Sequence, residues 1–294
     1  MKRIGLVMGL GLGLWACDEP LKSVELVAEP RVLGARVEVE SEPERAAPRP
    51  GETASVSFLV VAPELEPSLG FALAICPAEP RNGARSSCAD EPFAVVTSDD
   101  GEAAVASLTF EVPGELDPSG NLLALGIICP DGSPGGDGQT CDGADPGTPV
   151  SLEFELARDD DVNFNPALQP EAIFFDDQEW PDIAAAGGDC AGLGLPEVEA
   201  GSRHTFEVDL DEGDRDALPQ ASELDPTRES LQLSHFTTGG DLSRAFETIH
   251  WDSDELVRIT DWTAPKEPGL VRFWLILRDF RGGSSFVTRS VCVL

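Results

Sequence analysis

From residue 31 onward, apolar and polar side chains alternate along this chain with a period of two. Leu33, Ala35, Val37 and Val39 alternate with Arg36, Glu38 and Glu40, which predicts a strand with one buried and one wetted face. Val56, Phe58 and Val60 stand against Ser55 and Ser57, and Ala106, Leu108, Phe110 and Val112 against Ser107, Thr109 and Glu111. Leu152, Phe154 and Leu156 against Glu153 and Glu155 complete this half. Half-buried strands of this kind pair antiparallel.

The second half repeats the grammar. Phe206, Val208 and Leu210 alternate with Glu207, Asp209 and Asp211, and Val287, Val291 and Val293 close the chain. Between them, Val271 to Leu277 is apolar on both faces, as a central strand covered twice would be. Asp99-Asp100-Gly101 reads as a hairpin turn between 93–97 and 104–112, since Asp and Gly tolerate positive φ. The nearest approach to an amphipathic helix, residues 220–232, is interrupted by Pro226. Polar excursions at 130–148 and 211–229 are long enough to carry function.

Charge removes one class of partner. With 54 acidic against 20 basic side chains the chain carries −34. Nucleic-acid binding is excluded as an expectation, because a polyanion is held by clustered Lys and Arg.

The first residues carry the clearest signal. Lys2 and Arg3 precede an apolar run, Ile4 to Ala16, that is shorter than the ~20 residues of a spanning helix. The run ends Leu14-Trp15-Ala16-Cys17, which resembles the lipobox of bacterial lipoproteins. The resemblance implies a signal peptide over 1–16 and a lipid-modified Cys17 that anchors the protein to a bacterial membrane, periplasmic or at the cell surface. Residues 17–28 would be its tether. The alternative is an ordinary signal peptide with Cys17 in a disulfide.

Cysteine arithmetic favours the lipid. Of seven cysteines, setting Cys17 aside leaves an even set, which in an exported chain implies disulfides. Cys76-Pro77 and Cys129-Pro130 each end an apolar run and each meets a second cysteine, Cys88 and Cys141, at the same separation. The expected pairs are Cys76 with Cys88, Cys129 with Cys141 and, by elimination, Cys190 with Cys292. No C-x₂-C pair supports zinc.

An internal repeat suggests two units. Pro50-Gly51-Glu52-Thr53 leads into a strand, and Ala200-Gly201-Ser202-Arg203 leads into another. Here the chain resembles bacterial immunoglobulin-like and polycystic-kidney-type β-sandwich domains, with Val271 to Gly283 as the last hairpin. The expectation is therefore an all-β protein with two antiparallel immunoglobulin-like sandwiches, residues 29–158 and 170–294, joined by a linker at 159–169.

The linker offers the sharpest chemistry. Asp159, Asp161, Asn163 and Asn165 place oxygen ligands at alternate positions, and the run ending at Pro166 resembles the acidic linkers through which cadherin-type domains share Ca²⁺. Calcium needs 6–8 oxygens, so neighbouring loops would have to complete the shell. A solvated acidic hinge is the simpler reading.

Enzymatic motifs are absent: there is no G-x-S-x-G elbow, H-E-x-x-H helix or Walker loop. His204 shares a face with Phe206 and reads as a satisfied histidine. His250-Trp251-Asp252 is either a ligand loop with an aromatic platform or a core tryptophan, and His235 is the third histidine. The favoured function is a lipid-anchored, non-enzymatic binding or structural module of the cell envelope with a protein or glycan ligand. A calcium-dependent adhesin or glycan binder and an envelope hydrolase are the alternatives.

Overall fold

The computed structural model describes residues 23–63, 69–79, 86–103, 105–130, 132–136, 138–142, 147–158, 161–182, 190, 192–218 and 226–294, with side chains 99–103 not described. Cys17, Asp159 and the signal segment lie outside these residues. Among them the only helical elements are two 3-10 turns, and the rest of the regular structure is strand.

The first half holds β1 (Arg31–Val39), β2 (Thr53–Val61), β3 (Leu69–Pro77), β4 (Ala94–Ala103), β5 (Ala106–Glu111), β6 (Asn121–Cys129) and β7 (Thr148–Glu155). They form two antiparallel sheets, β1-β2-β5 and β4-β3-β6-β7. The second half holds β8 (Ile173–Phe175), β9 (Gln178–Glu179), β10 (Glu197–Val198), β11 (Arg203–Asp209), β12 (Leu231–Thr237), β13 (Asp241–Leu242), β14 (Phe246–Ile249), β15 (Val257–Thr263), β16 (Gly269–Arg278) and β17 (Ser284–Val293). Its sheets run β13-β15-β11-β8-β9 and β10-β17-β16-β12-β14. Both halves are all-β sandwiches with the same crossing order: β8, β11 and β15 stand where β1, β2 and β5 stand.

Alternation decides which side chains fill each core. Val56, Phe58, Leu108, Phe110 and Phe154 meet inside the first sandwich. Trp180, Phe206, Trp262 and Phe273 meet inside the second, with Trp262 and Phe273 edge to face at 5.0 Å.

Two strand expectations need correction. The segment Asp99-Asp100-Gly101 is not a hairpin turn, because the backbone stays extended through β4. β4 pairs with β3 while β5 pairs with β2, so the chain crosses from one sheet to the other between them. Leu33 does not share the face of Ala35 and Val37. A bulge between Val32 and Gly34 shifts the register by one residue and turns Leu33 outward.

That outward face is itself buried. Val27, Leu33 and Val61 of the first half pack against Trp274 and Ile276 of β16, forming a third core between the sandwiches. This is why Val271 to Leu277 is apolar on both faces. Arg31 adds a cation–π contact at 5.3 Å to the Phe236 ring. Part of the span expected as a tether, 17–28, is paired: Val27 donates its amide to Thr237 O at 2.8 Å, and Thr237 N donates to Glu25 O at 2.9 Å. Residues 25–27 are thus part of the folded body.

The three expected disulfides are present. Cys76–Cys88 and Cys129–Cys141 each close a separation of 12 residues, and Cys190–Cys292 closes 102.

Candidate functional site

The seam between the sandwiches concentrates the unusual chemistry. Strand β1 is an outermost strand, so its outer carbonyls need donors. Those of Leu33, Ala35 and Val37 accept from Arg278 Nη2, Ser284 Oγ and Asn165 Nδ2 respectively, all supplied by the linker or the β16–β17 hairpin. Arg36 returns the favour, donating from Nη1 to Ser284 O at 3.0 Å and to Ser285 Oγ at 2.7 Å.

A cleft of about 490 Å³ opens beside this capped edge, between β1, β7 and the hairpin. Its size falls within the range of small-molecule sites, which favour domain junctions. Val32, Ala35, Phe58, Val150 and Leu152 make its walls apolar, and Phe280, 68% exposed, stands at the rim. Backbone contact at one end is direct: at Gly282, with φ at 113°, a Cβ would come within 2.7 Å of Phe154 Cβ. Arg278 lies in the lining.

Next to the cleft sits a cluster of carboxyls around one cation. Arg281 Nη2 reaches Glu155 Oε2 at 2.9 Å and Asp161 Oδ1 at 2.6 Å, while Nη1 reaches Glu229 Oε1 at 3.1 Å. Burial opposes the Arg281 charge, but Glu155, Asp161 and Glu229 outweigh it and raise its pKa. Glu229 is 3% exposed; burial first, then Asp279 and Asp216, push its carboxyl up to about 8. Asp279 is pushed up to about 6 by burial, against amide donors from Arg281, Gly283 and Gly282. Burial likewise raises Asp216, whose Oδ2 accepts from Phe164 N at 2.8 Å. Asp216 and Glu229 come from the long 211–229 excursion.

These contacts revise the linker reading. The side chains of 161, 163 and 165 all meet the β16–β17 hairpin. Asp161 is paired with Arg281, and Asn163 is buried beside Asp279. Asn165 is spent twice, donating to Val37 O at 2.7 Å and accepting from Ser284 N at 2.9 Å. Residues 161–165 are a strap across the seam and not a solvated hinge. Among the described residues, no group of three or more His, Cys, Asp or Glu is arranged to hold a metal.

Of the histidines, His204 is satisfied as expected, stacked on Phe175 at 5.4 Å. It also completes a chain that the sequence did not announce: Ser202 Oγ lies 2.6 Å from His204 Nε2, and His204 Nδ1 lies 2.6 Å from Asp176 Oδ2. The atoms match a serine-hydrolase relay. The surroundings do not. Ser202 Oγ also lies 2.5 Å from Glu199 O, so its single proton has a competing acceptor. The amides of Gly201, Ser202 and Thr205, which an oxyanion would need, are committed to Pro265 O, Glu199 O and Asp176 Oδ1. The relay instead holds the Asp176-Asp177 turn, both residues at positive φ, onto β11. His250 is exposed and bonds Asp252 at 2.6 Å, with Trp251 half-buried beside it. His235 is fully buried against Phe206, and burial lowers its pKa to about 4.

The residues that make the seam, Arg278, Arg281, Glu229 and Asp279, carried no spacing signal. No family model matches the sequence, and no curated protein matches it. Among solved structures, Escherichia coli alpha-2-macroglobulin activated by porcine elastase aligns at 10% identity and a TM-score of 0.26, over 90% of this chain and 22% of that one. The Yersinia pseudotuberculosis adhesin InvE aligns at 9% identity and 0.21, over 87% and 58%. The FN1–FN3 domains of chicken CNTN1 align at 9% and 0.22, over 90% and 68%. The chain therefore spans about a fifth of the first of these and part of the others, and its fold rests on its own sheet topology.

Proposed function

We propose that this protein is a lipid-anchored, non-enzymatic binding module of a bacterial cell envelope, attached through Cys17 and taking its ligand at the seam between the sandwiches. The observation that carries the reading is the apolar cleft at that seam, held open between a strapped linker and a capped strand edge. Three disulfides support folding in an oxidising compartment, and no helix among the described residues is long and apolar enough to cross a membrane. Attachment would then fall to the lipid, since acyl chains contribute roughly 0.8 kcal/mol per buried CH₂. The test is fractionation of the producing cell with intact-mass analysis of the mature N-terminus. The protein should sediment with membranes and begin at an acylated Cys17, and Cys17→Ser should release it. An unmodified residue 17 in a soluble mature form would overturn the anchor.

A further inference from the structure

Four buried or half-buried arginines of this acid-rich chain face carboxylates: Arg45 meets Glu52, Arg215 meets Glu212, Arg281 meets Glu155 and Arg289 meets Asp182. Arg278 departs from that pattern. Its Nη2 donates to Leu33 O, and among the described residues no carboxylate is paired with it, so burial alone acts on its charge. The two carboxyls that line the same cleft are engaged elsewhere. Glu153 accepts from Asn121 Nδ2 at 2.8 Å and Ser86 Oγ at 2.7 Å, and Asp279 accepts from the amides of Arg281, Gly282 and Gly283. A desolvated guanidinium without a counter-ion is costly, and an anion arriving at it recovers that cost.

The space around Arg278 is specific. Gly34 at the β1 bulge lies against it: a Cβ there would stand in ordinary contact, 3.6 Å from Nη2 and 3.5 Å from Ile276 Cγ2. Beyond the guanidinium the walls are apolar, formed by Val32, Phe58, Val150 and Leu152. The β1 edge is closed to an added strand by its three side-chain caps, which disfavours a peptide held by backbone pairing.

We infer that the cleft binds an apolar molecule bearing a single carboxylate, with the carboxylate on Arg278 and the apolar body over Phe58, Val150 and Leu152. The inference rests on the binding-module reading and names its ligand class. Charge gives orientation and the walls give the remaining affinity.

The probe is octanoate, with octan-1-ol and octylammonium as equal-length controls, titrated by calorimetry and by methyl NMR into the disulfide-intact protein. Octanoate should bind about tenfold or more tightly than octanol, as a charge-assisted hydrogen bond would provide. It should shift the Val150 and Leu152 methyl signals, and octylammonium should bind weakest. Arg278→Gln, which keeps a donor for Leu33 O, should erase the preference for octanoate over octanol. If that variant fails to fold, the methyl shifts and the order of the three probes in the unaltered protein still decide. Octanol binding as tightly as octanoate, or a preference that survives Arg278→Gln, overturns the carboxylate assignment and leaves the binding reading standing. Failure of all three probes to disturb the cleft overturns both.

Discussion

Asn165 shows how much a single side chain can hold when it is buried between two bodies. Its amide donates to a carbonyl of β1 and accepts from the first amide of β17, so both of its polar ends are satisfied by different sandwiches. Asn165→Ala would leave Val37 O and Ser284 N without partners in a site where water does not reach. Each orphaned group costs about 1–3 kcal/mol, so we expect a loss of about 3 kcal/mol in urea unfolding, read as a lower midpoint with an unchanged slope. A loss below about 0.5 kcal/mol, the size of an ordinary surface substitution, would show that the strap is ornamental. Asn165 also marks a limit of reading by composition. As a residue type in an acidic run it suggests an oxygen ligand, whereas its hydrogen bonds come from residues more than a hundred positions away in sequence, which no local spacing encodes.

At the scale of elements, the internal repeat is structural. Gly51 and Gly201 precede β2 and β11, strands that hold equivalent places in their sheets, with φ at 83° and 74°. Each turn is closed alike, by Glu52 N to Arg49 O in the first half and by Ser202 N to Glu199 O in the second, both at 3.1 Å. Nothing lies within 4 Å of a Cβ added at either glycine. The cost of Gly51→Ala and Gly201→Ala is therefore purely conformational, about 1–2 kcal/mol each, and the two should match in thermal melts. Unequal losses would mean that the turns are not equivalent. Period-two alternation made strands and cores legible and cysteine spacing made the two short disulfides legible, because burial on one face and closure of a short loop are local facts, while Cys190–Cys292 followed only by elimination. It misplaced Leu33 because a single bulge inverts parity, and it misread Asp99-Asp100-Gly101 because turn-forming residues also tolerate an extended crossing between sheets. The Arg281 cluster escaped altogether: its members span Glu155 to Arg281 and meet only once two sheets have docked.

For the whole molecule, the seam couples stability to pH. Glu229 has a folded pKa of about 8 against an ordinary 4.5, and Asp279 about 6 against 3.8. A carboxyl raised by folding contributes stability that is complete below its unfolded pKa and lost as pH climbs through the folded one. The seam should therefore weaken from about pH 5 to 8, with Glu229 alone accounting for about 2 kcal/mol between pH 6 and 8. Glu52 runs the other way: burial raises it, but bonds from Arg45 and the Arg49 amide prevail and hold it low, so its contribution is lost only on the acid side. Melting curves across this window should fall toward pH 8 in the parent protein and flatten in Glu229→Gln; parallel slopes would remove Glu229 from the account. The capped edge of β1 has a further consequence, in time rather than in energy. Its donors at 165, 278 and 284 follow the first sandwich in the chain, two of them only in β16 and β17. While the polypeptide is being made from its N-terminus, the first sandwich is ready to fold long before its cover exists. For that interval it presents three bare carbonyls and an uncovered apolar face to every neighbour, the exposure that invites strand-to-strand association. Cys292 follows the same hairpin on β17, so one segment both covers the edge and supplies the partner of Cys190. A copy that stopped short of the hairpin would keep its first core and lose its protection from itself.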